Sequence, residues 1–430
     1  MIANSIGDHV GSGGWWRGAV ELARMLRIEA PRSSVDRIES VADARRLAHE
    51  RLPRMVADFV DGGAEDELTL RANRRDLERI CLIPRMLVDV SDRTTATTFA
   101  GERLSLPFIL GPAGLAQLVD PEGELAVVRA AGRAGTVFVA GMMSSYSLEE
   151  IAGAATGPLW FQLYPWRDRE LLSWLIERAQ RAGYRALVLT VDVPVIGRRE
   201  RDLRNGMMIP PRVGLRSGLD VARSPRWLRG LLRGRPIGFG NLQGIVQGEG
   251  AIAHNEFIDK HYNPAASWDD VAWVRAAWKG PLLIKGVMTG QDARMAQAHG
   301  VDGVVVSNHG GRQLDGATSS ARALVEVVES VGSEMEIVFD GGIRRGADIM
   351  KAVAIGAGAT MSARCWFWGL GAAGEAGVVR VLELLRSDVQ RCLALMGRTC
   401  PRQLGRDAVV IPHEWLERLE GRRSPAAAEL

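Results

Sequence analysis

Residues 301–316 read VDGVVVSNHGGRQLDG, an apolar run that passes directly into a histidine, two glycines and an arginine. A short, continuous apolar run is typical of a strand buried on both faces of a parallel sheet. A simple turn after it would use the glycines, but it would not need the imidazole of His309 or the guanidinium of Arg312. The stretch therefore predicts a buried strand whose carboxyl end carries side chains with a chemical role.

Seven similar apolar runs occur elsewhere, and each is followed by a helix-like segment. The predicted strands are PFILGP from Pro107, TVFVAG from Thr136, LWFQLY from Leu159, ALVLTV from Ala186, LLIKGV from Leu282, EIVFD from Glu336 and ATMSA from Ala359. Eight strands that alternate with helices predict an α/β fold with a closed, parallel (β/α)8 barrel, a TIM barrel. An open, doubly wound sheet is the competing arrangement, and the even spacing of the units favours the barrel.

The chain is predicted to form one catalytic domain over 38–415, with an N-terminal extension, 1–37, and a C-terminal tail, 416–430. The connection between the fourth and fifth predicted strands is much longer than the others, which predicts an insertion at about 206–265.

Bulk properties exclude several classes of function. The net charge of +3 does not indicate a nucleic-acid partner, and the four cysteines lack the spacing of metal sites or disulfide frameworks, so no metal is predicted. No apolar run is long enough to span a bilayer, and no secretory signal begins the chain. These features predict a cytoplasmic protein.

Polar side chains follow six of the predicted strands at the point where each strand ends. In a parallel barrel these ends meet at one face, which carries the active site. Each residue alone could belong to a structural ion pair, but the same placement on six strands predicts a shared site. The residues are Gln162, Tyr164, Thr190, Asp192, Lys285, Ser307, His309, Asp340 and Arg364.

The last two units predict a phosphate site. DGGIRRGADIMKA places two glycines and two arginines before a helix, and GAGATMSAR brings Arg364 out of the last strand. Backbone N–H groups at helix N-termini in this part of a barrel bind phosphate. No G-x-G-x-x-G motif follows a strand, which disfavours a Rossmann-bound nicotinamide cofactor.

From about Ser40 to Ile411 the sequence resembles the FMN-dependent α-hydroxy acid dehydrogenases and oxidases, the family of glycolate oxidase, L-lactate dehydrogenase and mandelate dehydrogenase. The segments that carry the resemblance are RLPRMV, GGAEDELTLRAN, WFQLY, LTVDVPVIGRRERDLRN, LLIKGV, SNHGGRQLDG and DGGIRRGADIMKA. The resemblance implies a barrel that binds FMN and oxidises an (S)-2-hydroxy acid to the 2-oxo acid. It also implies a homo-oligomer.

The resemblance implies a role for the residues around the opening stretch. His309 would remove the hydroxyl proton of the substrate while hydride passes to flavin N5, and Asp192 would orient and stabilise the imidazole. Arg312 and Arg199 would bind the substrate carboxylate, with Tyr164 in support.

The resemblance also implies an FMN site. Lys285 would lie beside flavin N1 and O2, where positive charge stabilises the reduced ring. The remaining cofactor contacts would come from Pro112, Ala113, Gly141, Gln162, Thr190, Ser307, Asp340, Gly342, Arg344, Ala363 and Arg364.

Three positions depart from the family pattern. Phe59 stands where the family has a tyrosine that hydrogen-bonds the substrate carboxylate, Gly141 where a serine is common, and Ala363 where a glycine precedes the last arginine. Loss of one hydroxyl at position 59 should weaken carboxylate binding by roughly 0.5–3 kcal/mol. Phe59 also suits a bulkier substrate, and Gly114 matches mandelate dehydrogenase, so mandelate-like substrates are placed ahead of lactate.

The insertion contains a basic amphipathic segment. Seven arginines and one acid, Asp220, fall between Arg212 and Arg235, and PRWLRGLLRGRP places its tryptophan and leucines opposite its arginines. Such a segment can lie on an anionic membrane, or its apolar face can cover the mouth of the site as a lid. The membrane is slightly favoured, because related dehydrogenases dock through this loop and pass electrons toward quinone. The implied location is the inner face of the cytoplasmic membrane.

Other functions stay open. An oxidase that uses oxygen would have the same site, and the three departures from the pattern suggest a flavin-binding relative with impaired chemistry. A barrel enzyme with another phosphorylated ligand would lack a flavin altogether. The retention of His309, Asp192, Lys285 and Arg312 argues against impaired chemistry.

Overall fold

A computed structural model describes residues 33–207, 214–245 and 260–417. Most of the predicted N-terminal extension and tail, two stretches of the insertion, and Arg212 lie outside these ranges. The predicted domain boundaries therefore stay predictions.

The strands include all eight that the sequence predicts. In chain order they are β1 (Cys81–Leu82), β2 (Thr97–Phe99), β3 (Glu102–Leu104), β4 (Phe108–Leu110), β5 (Phe138–Gly141), β6 (Leu159–Leu163), β7 (Ala186–Thr190), β8 (Leu282–Val287), β9 (Gly303–Val306), β10 (Glu336–Asp340), β11 (Ala359–Ser362) and β12 (Val409–Val410). Strands β4 to β11 pair in sequential, parallel order and β11 pairs with β4, which closes the barrel. The predicted TIM barrel is confirmed, and an open sheet is excluded.

The helices lie between and around the strands. They are α1 (Val41–Arg51), α2 (Arg54–Asp61), α3 (Leu68–Arg79), α4 (Gly123–Ala134), α5 (Leu148–Ala154), α6 (Arg169–Arg181), α7 (Glu200–Asn205), α8 (Leu215–Ala222), α9 (Pro225–Arg233), α10 (Trp268–Ala277), α11 (Gly290–Ala298), α12 (Ser320–Val331), α13 (Gly346–Ile355) and α14 (Arg364–Leu395).

Local sequence explains several helix ends. Side chains of Ser147, Asp168 and Ser319 accept hydrogen bonds from the first turns of α5, α6 and α12. Helix α4 ends at Gly135, whose φ of 66° is left-handed, as the glycine at the end of GELAVVRAAGRAG predicts.

The barrel interior is packed with apolar side chains, so the functional site must lie at its mouth. Alternate strand residues point inward and form one buried cluster, while the other residues pack outward against the helices. The inward cluster includes Ile109, Val139, Trp160, Val188, Leu283, Val305, Val338 and Met361.

The insertion lies beside the mouth of the barrel. The Trp227 Nε1–H of α9 donates to the Leu118 carbonyl at 2.7 Å, and Gly230 lies against Pro121. Helix α9 therefore packs on the connection that follows β4. Leu231 and Leu232, in contrast, are 37% and 77% exposed, so these two leucines do not close over the cavity as the lid alternative requires.

Candidate active site

A cavity of about 680 Å³ opens at the carboxyl ends of the strands. Sixteen of the predicted site residues line it, namely Phe59, Pro112, Ala113, Gly114, Gln162, Tyr164, Thr190, Arg199, Lys285, His309, Arg312, Asp340, Gly342, Arg344, Ala363 and Arg364. Gly141, Asp192 and Ser307 lie directly behind this lining and contact it. The strand-end pattern thus brings the predicted residues together.

His309 and Asp192 form a partly buried pair. The Nδ1 atom of His309 lies 3.0 Å from Oδ1 of Asp192. Burial lowers the pKa of His309 below its ordinary value, although the Asp192 charge opposes this effect. Burial would raise the pKa of Asp192, but the neighbouring His309 outweighs it and the pKa is lowered. A neutral imidazole that donates from Nδ1 to a carboxylate leaves Nε2 able to accept a proton.

The backbone around His309 explains the two glycines that follow it. His309, Gly310 and Gly311 have left-handed φ values of 58°, 66° and 75°. A Cβ at Gly311 would lie 2.5 Å from the Leu70 nitrogen, so only glycine fits there. A histidine with positive φ is strained, and such strain is concentrated at functional sites. The turn that the glycines permit sets the position of the imidazole.

The guanidinium groups of Arg199 and Arg312 both line the cavity and lie near each other. Arg312 Nη1 donates to the carbonyls of Phe59 at 2.9 Å and Gly62 at 2.8 Å, which fixes its side chain. Burial, together with the nearby Arg199, holds the pKa of Arg312 well below its usual range. The Nε of Arg199 is buried with no hydrogen-bond partner among the described residues. An anionic ligand would stabilise the charged form of Arg312 and would accept a hydrogen bond from Arg199.

Asp202 is a residue of this site that the sequence reading missed. It is buried on α7, and its Oδ2 lies 3.8 Å from Arg199 Nη1. Burial raises the pKa of Asp202, while Arg312 and Arg199 oppose that rise. The signal was the i,i+3 spacing of the arginine and aspartate in GRRERD, which places both on one side of a helical turn.

A second pair of arginines, Arg344 and Arg364, lies where α13 and α14 begin, and both are partly buried. Arg364 donates to the carbonyls of Val60, Gly310 and Gly62 at 3.1, 2.8 and 2.9 Å. Burial, with the charge of Arg344, lowers the pKa of Arg364 to about 10. Two guanidinium groups beside two helix N-termini are suited to bind a phosphate, and the predicted phosphate site stays a prediction.

Lys285 belongs to a buried polar network. Its Nζ lies 2.9 Å from Ser307 Oγ and 3.2 Å from Asp340 Oδ2, and Ser307 Oγ donates to Asp340 at 2.7 Å. The His309 backbone N–H also donates to Ser307 Oγ at 3.0 Å. The network fixes the ammonium group at the mouth of the barrel and ties it to the loop that carries His309.

The lining fits the FMN that the resemblance implies. Gln162 Nε2 and Thr190 Oγ1 are buried without hydrogen-bond partners among the residues that the structure describes. Both line the cavity together with Lys285, and Thr190 lies opposite Lys285 on the neighbouring strand. A flavin ring edge carries the acceptors and donors that such groups need, and the arginine pair suits a phosphate. Within the described ranges, no cluster of three metal-binding side chains occurs.

The cavity lining also includes apolar side chains that the sequence did not single out. They are Met143 after β5 and residues that precede or belong to the insertion, namely Ile196, Leu203, Met207 and Phe239. Gly114 lines the cavity as well, and a Cβ at Gly114 would lie 2.6 Å from the Met143 carbonyl oxygen. Glycine is therefore required there by close packing.

The departures from the family pattern have local explanations. The Arg312 guanidinium lies 5.4 Å from the centre of the Phe59 ring, so Phe59 still contacts the arginine. A Cβ at Gly141 would meet the Ala113 carbonyl at 3.2 Å, which leaves little room for a serine. Ala363 precedes α14 and lines the cavity with its small side chain.

Comparison with known proteins agrees with this geometry. The chain matches the family described as FMN-dependent dehydrogenase over residues 48–411. A putative L-lactate dehydrogenase of Mycobacterium tuberculosis is 40% identical over 390 residues, and this match covers 89% of this chain and 93% of that protein. An L-lactate oxidase of Nostoc sp. is 43% identical over 361 residues, 82% of this chain and 92% of that protein.

A solved structure is also similar. The monotopic membrane protein (S)-mandelate dehydrogenase has a TM-score of 0.83 and 38% identity, and the match covers 87% of this chain and 100% of that one. The family match spans well over half of the chain, and the relatives act on 2-hydroxy acids by name. This chain therefore belongs to the family of FMN-dependent dehydrogenases and oxidases that oxidise 2-hydroxy acids, and FMN is its cofactor.

Proposed function

We propose that this protein oxidises (S)-2-hydroxy acids with a large apolar side chain, such as mandelate, to the corresponding 2-oxo acids. The observation that carries the proposal is the His309–Asp192 pair in contact with a cavity that also contains Arg199 and Arg312. An imidazole can accept a hydroxyl proton, and guanidinium groups can hold a carboxylate. A 2-hydroxy acid carries both groups on neighbouring carbons.

The acid–base step would use the free nitrogen of the histidine. Since Nδ1 of His309 faces Asp192, Nε2 would accept the proton of the substrate hydroxyl. The Asp192 carboxylate would hold the ring in place and stabilise the imidazolium that forms. Arg312 and Arg199 would bind the carboxylate, with Tyr164 beside them, so that the hydroxyl is presented to the histidine.

Bound FMN supplies the acceptor for the hydrogen and electron pair that leave C2 of the substrate. Lys285 would carry positive charge at the ring edge, and Gln162 and Thr190 would donate hydrogen bonds to it. Arg344 and Arg364 would hold the phosphate. The other predicted contacts, from Pro112, Ala113, Gly141, Ser307, Asp340, Gly342 and Ala363, remain predictions.

The apolar side chains in the cavity lining support an aryl side chain on the substrate. Met143, Met207 and Phe239 form a surface that a phenyl ring would cover better than a methyl group. Lactate is the second candidate, because the relatives include proteins named L-lactate dehydrogenase and L-lactate oxidase.

We further propose that the electrons pass to a membrane acceptor such as a quinone. Leu219 and Leu232 are 62% and 77% exposed on α8 and α9, and Arg226, Arg229 and Arg233 on α9 are exposed beside them. Exposed leucines among arginines suit the headgroup region of an anionic membrane. The mandelate dehydrogenase of similar structure is titled a monotopic membrane protein.

The attachment proposed here is peripheral and lies on the cytoplasmic side of the membrane. Over the ranges that the structure describes, no helix is both long and apolar enough to cross a bilayer. Use of oxygen as the acceptor is the alternative, since one relative is named an oxidase. Homo-oligomer formation stays a prediction.

Anaerobic spectroscopy separates these possibilities. The visible flavin band of the purified protein should bleach with (S)-mandelate and more slowly with L-lactate at equal concentration. The bleached protein should then recover its band faster with a quinone analogue in anionic vesicles than with air-saturated buffer. A higher rate with lactate would replace the proposed substrate, and fast recovery in air alone would identify an oxidase.

A further inference from the structure

We propose that Tyr262, from the end of the insertion, supplies the substrate carboxylate with the phenol hydroxyl that Phe59 lacks. This inference rests on the proposed function, because it assumes a carboxylate ligand at Arg199 and Arg312. It makes Tyr262 a substrate-binding and specificity-determining residue of the site.

Tyr262 is the second tyrosine that lines the main cavity. It shares the lining with Tyr164, Phe59, Arg312 and His309. Its ring meets the ring of Tyr164 edge-on, with centroids 6.0 Å apart and an interplanar angle of 65°. The two tyrosine rings thus lie next to each other in the lining of the cavity that also contains the arginines.

The position of Tyr262 is fixed from outside the cavity. Its ring also meets the Trp166 ring edge-on at 6.4 Å, and the Arg167 backbone N–H donates to the His261 carbonyl at 3.0 Å. Tyr262 and Tyr164 together separate the main cavity from a second one of about 250 Å³, which is mostly apolar and contains Trp166 and Trp268. A phenol ring with one apolar and one polar side is well suited to such a wall.

The pKa of Tyr164 responds to Tyr262 and to the charged groups around the site. Burial raises the pKa of Tyr164, and the nearby phenol of Tyr262 and the charge of Asp192 raise it further. Arg199 and Arg312 act in the opposite direction on the same hydroxyl. The Tyr164 phenol therefore interacts electrostatically with Tyr262, with both arginines and with Asp192. A carboxylate bound between the arginines would accept hydrogen bonds from phenols at this place.

Phe59 explains why a second phenol is needed. Its backbone carbonyl still anchors Arg312 at 2.9 Å, and its ring still lies under the guanidinium, so the arginine keeps its position. Only the hydroxyl is lost relative to the family pattern. Tyr262 returns one hydroxyl from another element, and the wider space beside Phe59 stays available to a large apolar substrate.

The test compares Tyr262→Phe, Phe59→Tyr and the double variant. The probe is phenylacetate, which has a carboxylate and a phenyl ring but no 2-hydroxyl, and its binding is followed by the shift of the flavin spectrum. We expect Tyr262→Phe to weaken phenylacetate binding about tenfold, the size of one hydrogen bond to a charged group. Phe59→Tyr in the Tyr262→Phe background should restore most of the affinity.

Tyr184→Phe is the matched control. Its hydroxyl donates to the Leu148 carbonyl at 3.1 Å, away from the cavity, so this variant should lose stability but bind phenylacetate like the wild type. Equal affinities of the wild type and Tyr262→Phe, or failure of Phe59→Tyr to rescue, would overturn the inference. A wild type that binds phenylacetate but is not bleached by any (S)-2-hydroxy acid would overturn the proposed function instead.

Discussion

The mouth of the barrel and the insertion beside it distribute polar and apolar groups in opposite ways. At the mouth, charged groups are buried: Lys285 is 4% exposed, and Arg312 is tied to backbone carbonyls. In the insertion, Leu232 is 77% exposed while arginines surround it. Buried charge calls for an anionic ligand, whereas exposed apolar side chains call for an apolar partner.

The difference separates two tasks. The mouth holds its groups rigidly through short hydrogen bonds, as the network of Lys285, Ser307 and Asp340 illustrates. Helix α9 contributes no fully buried side chain and is attached through Trp227. Under the proposed function, chemistry belongs to the mouth and membrane attachment to helices α8 and α9 of the insertion. Changes in these two helices should leave the chemistry intact.

The largest effect is expected at the mouth, from His309→Gln. Loss of the base should slow anaerobic flavin bleaching by about 10²–10⁴-fold, the usual contribution of a general base. FMN content should stay unchanged, because the Lys285 network does not use the imidazole. Stopped-flow absorbance measures the rate, and a variant that bleaches as fast as the wild type would remove His309 from the chemistry.

A smaller effect is expected from Arg199→Lys. Lysine cannot reproduce the paired donors of a guanidinium, so binding of the 2-hydroxy acid should weaken by about 10–100-fold. Arg204→Lys on α7, the helix that begins directly after Arg199, is the control, since the Arg204 side chain is 71% exposed. Titration of the flavin spectrum measures the affinity of each variant for the 2-hydroxy acid. Equal losses of affinity in the two variants would indicate damage to α7 instead.

The position of each site residue along the chain explains whether the sequence could predict it. His309, Asp192 and Lys285 follow or end strands, and strand ends in a parallel barrel converge whatever the loops do. Asp202 and Tyr262 come from the long connection after β7, whose path depends on packing that periodicity does not encode. The left-handed backbone of His309 was equally hidden, because only the two glycines after it were visible as a signal.

The orientation of helix α9 in the insertion could not be predicted from the sequence either. The arginine and leucine spacing predicted an amphipathic helix, and α9 is that helix. The spacing could not tell whether the leucines cover the site or face outward, because both arrangements have the same periodicity. The exposure of Leu231 and Leu232 in the structure shows that these two leucines face outward.

The third prediction addresses the insertion alone. Replacing Leu231 and Leu232 by serine should reduce binding to anionic vesicles about tenfold or more, since each leucine transferred to an apolar phase contributes on the order of 1–2 kcal/mol. Bleaching by the 2-hydroxy acid should keep its wild-type rate. Vesicle sedimentation measures the first quantity, and unchanged sedimentation would leave the insertion without a membrane role.

The smallest expected change is a shift of the pH profile in Asp192→Asn. His309 must be neutral to act as a base, and burial already lowers its pKa while Asp192 opposes that effect. Without the carboxylate the His309 pKa should fall further, so the acid limb of kcat/KM should move to lower pH as the rate declines. A limb that moves to higher pH would contradict this electrostatic assignment.

The most direct test of the central claim is a single anaerobic turnover that measures flavin and product together. Protein is mixed with (S)-mandelate, and the bleached flavin and the 2-oxo acid formed are quantified in the same sample. We predict one 2-oxo acid for each flavin bleached, and neither change with (R)-mandelate. Flavin that stays oxidised with both (S)-mandelate and L-lactate, or bleaching without a 2-oxo acid, would contradict the account.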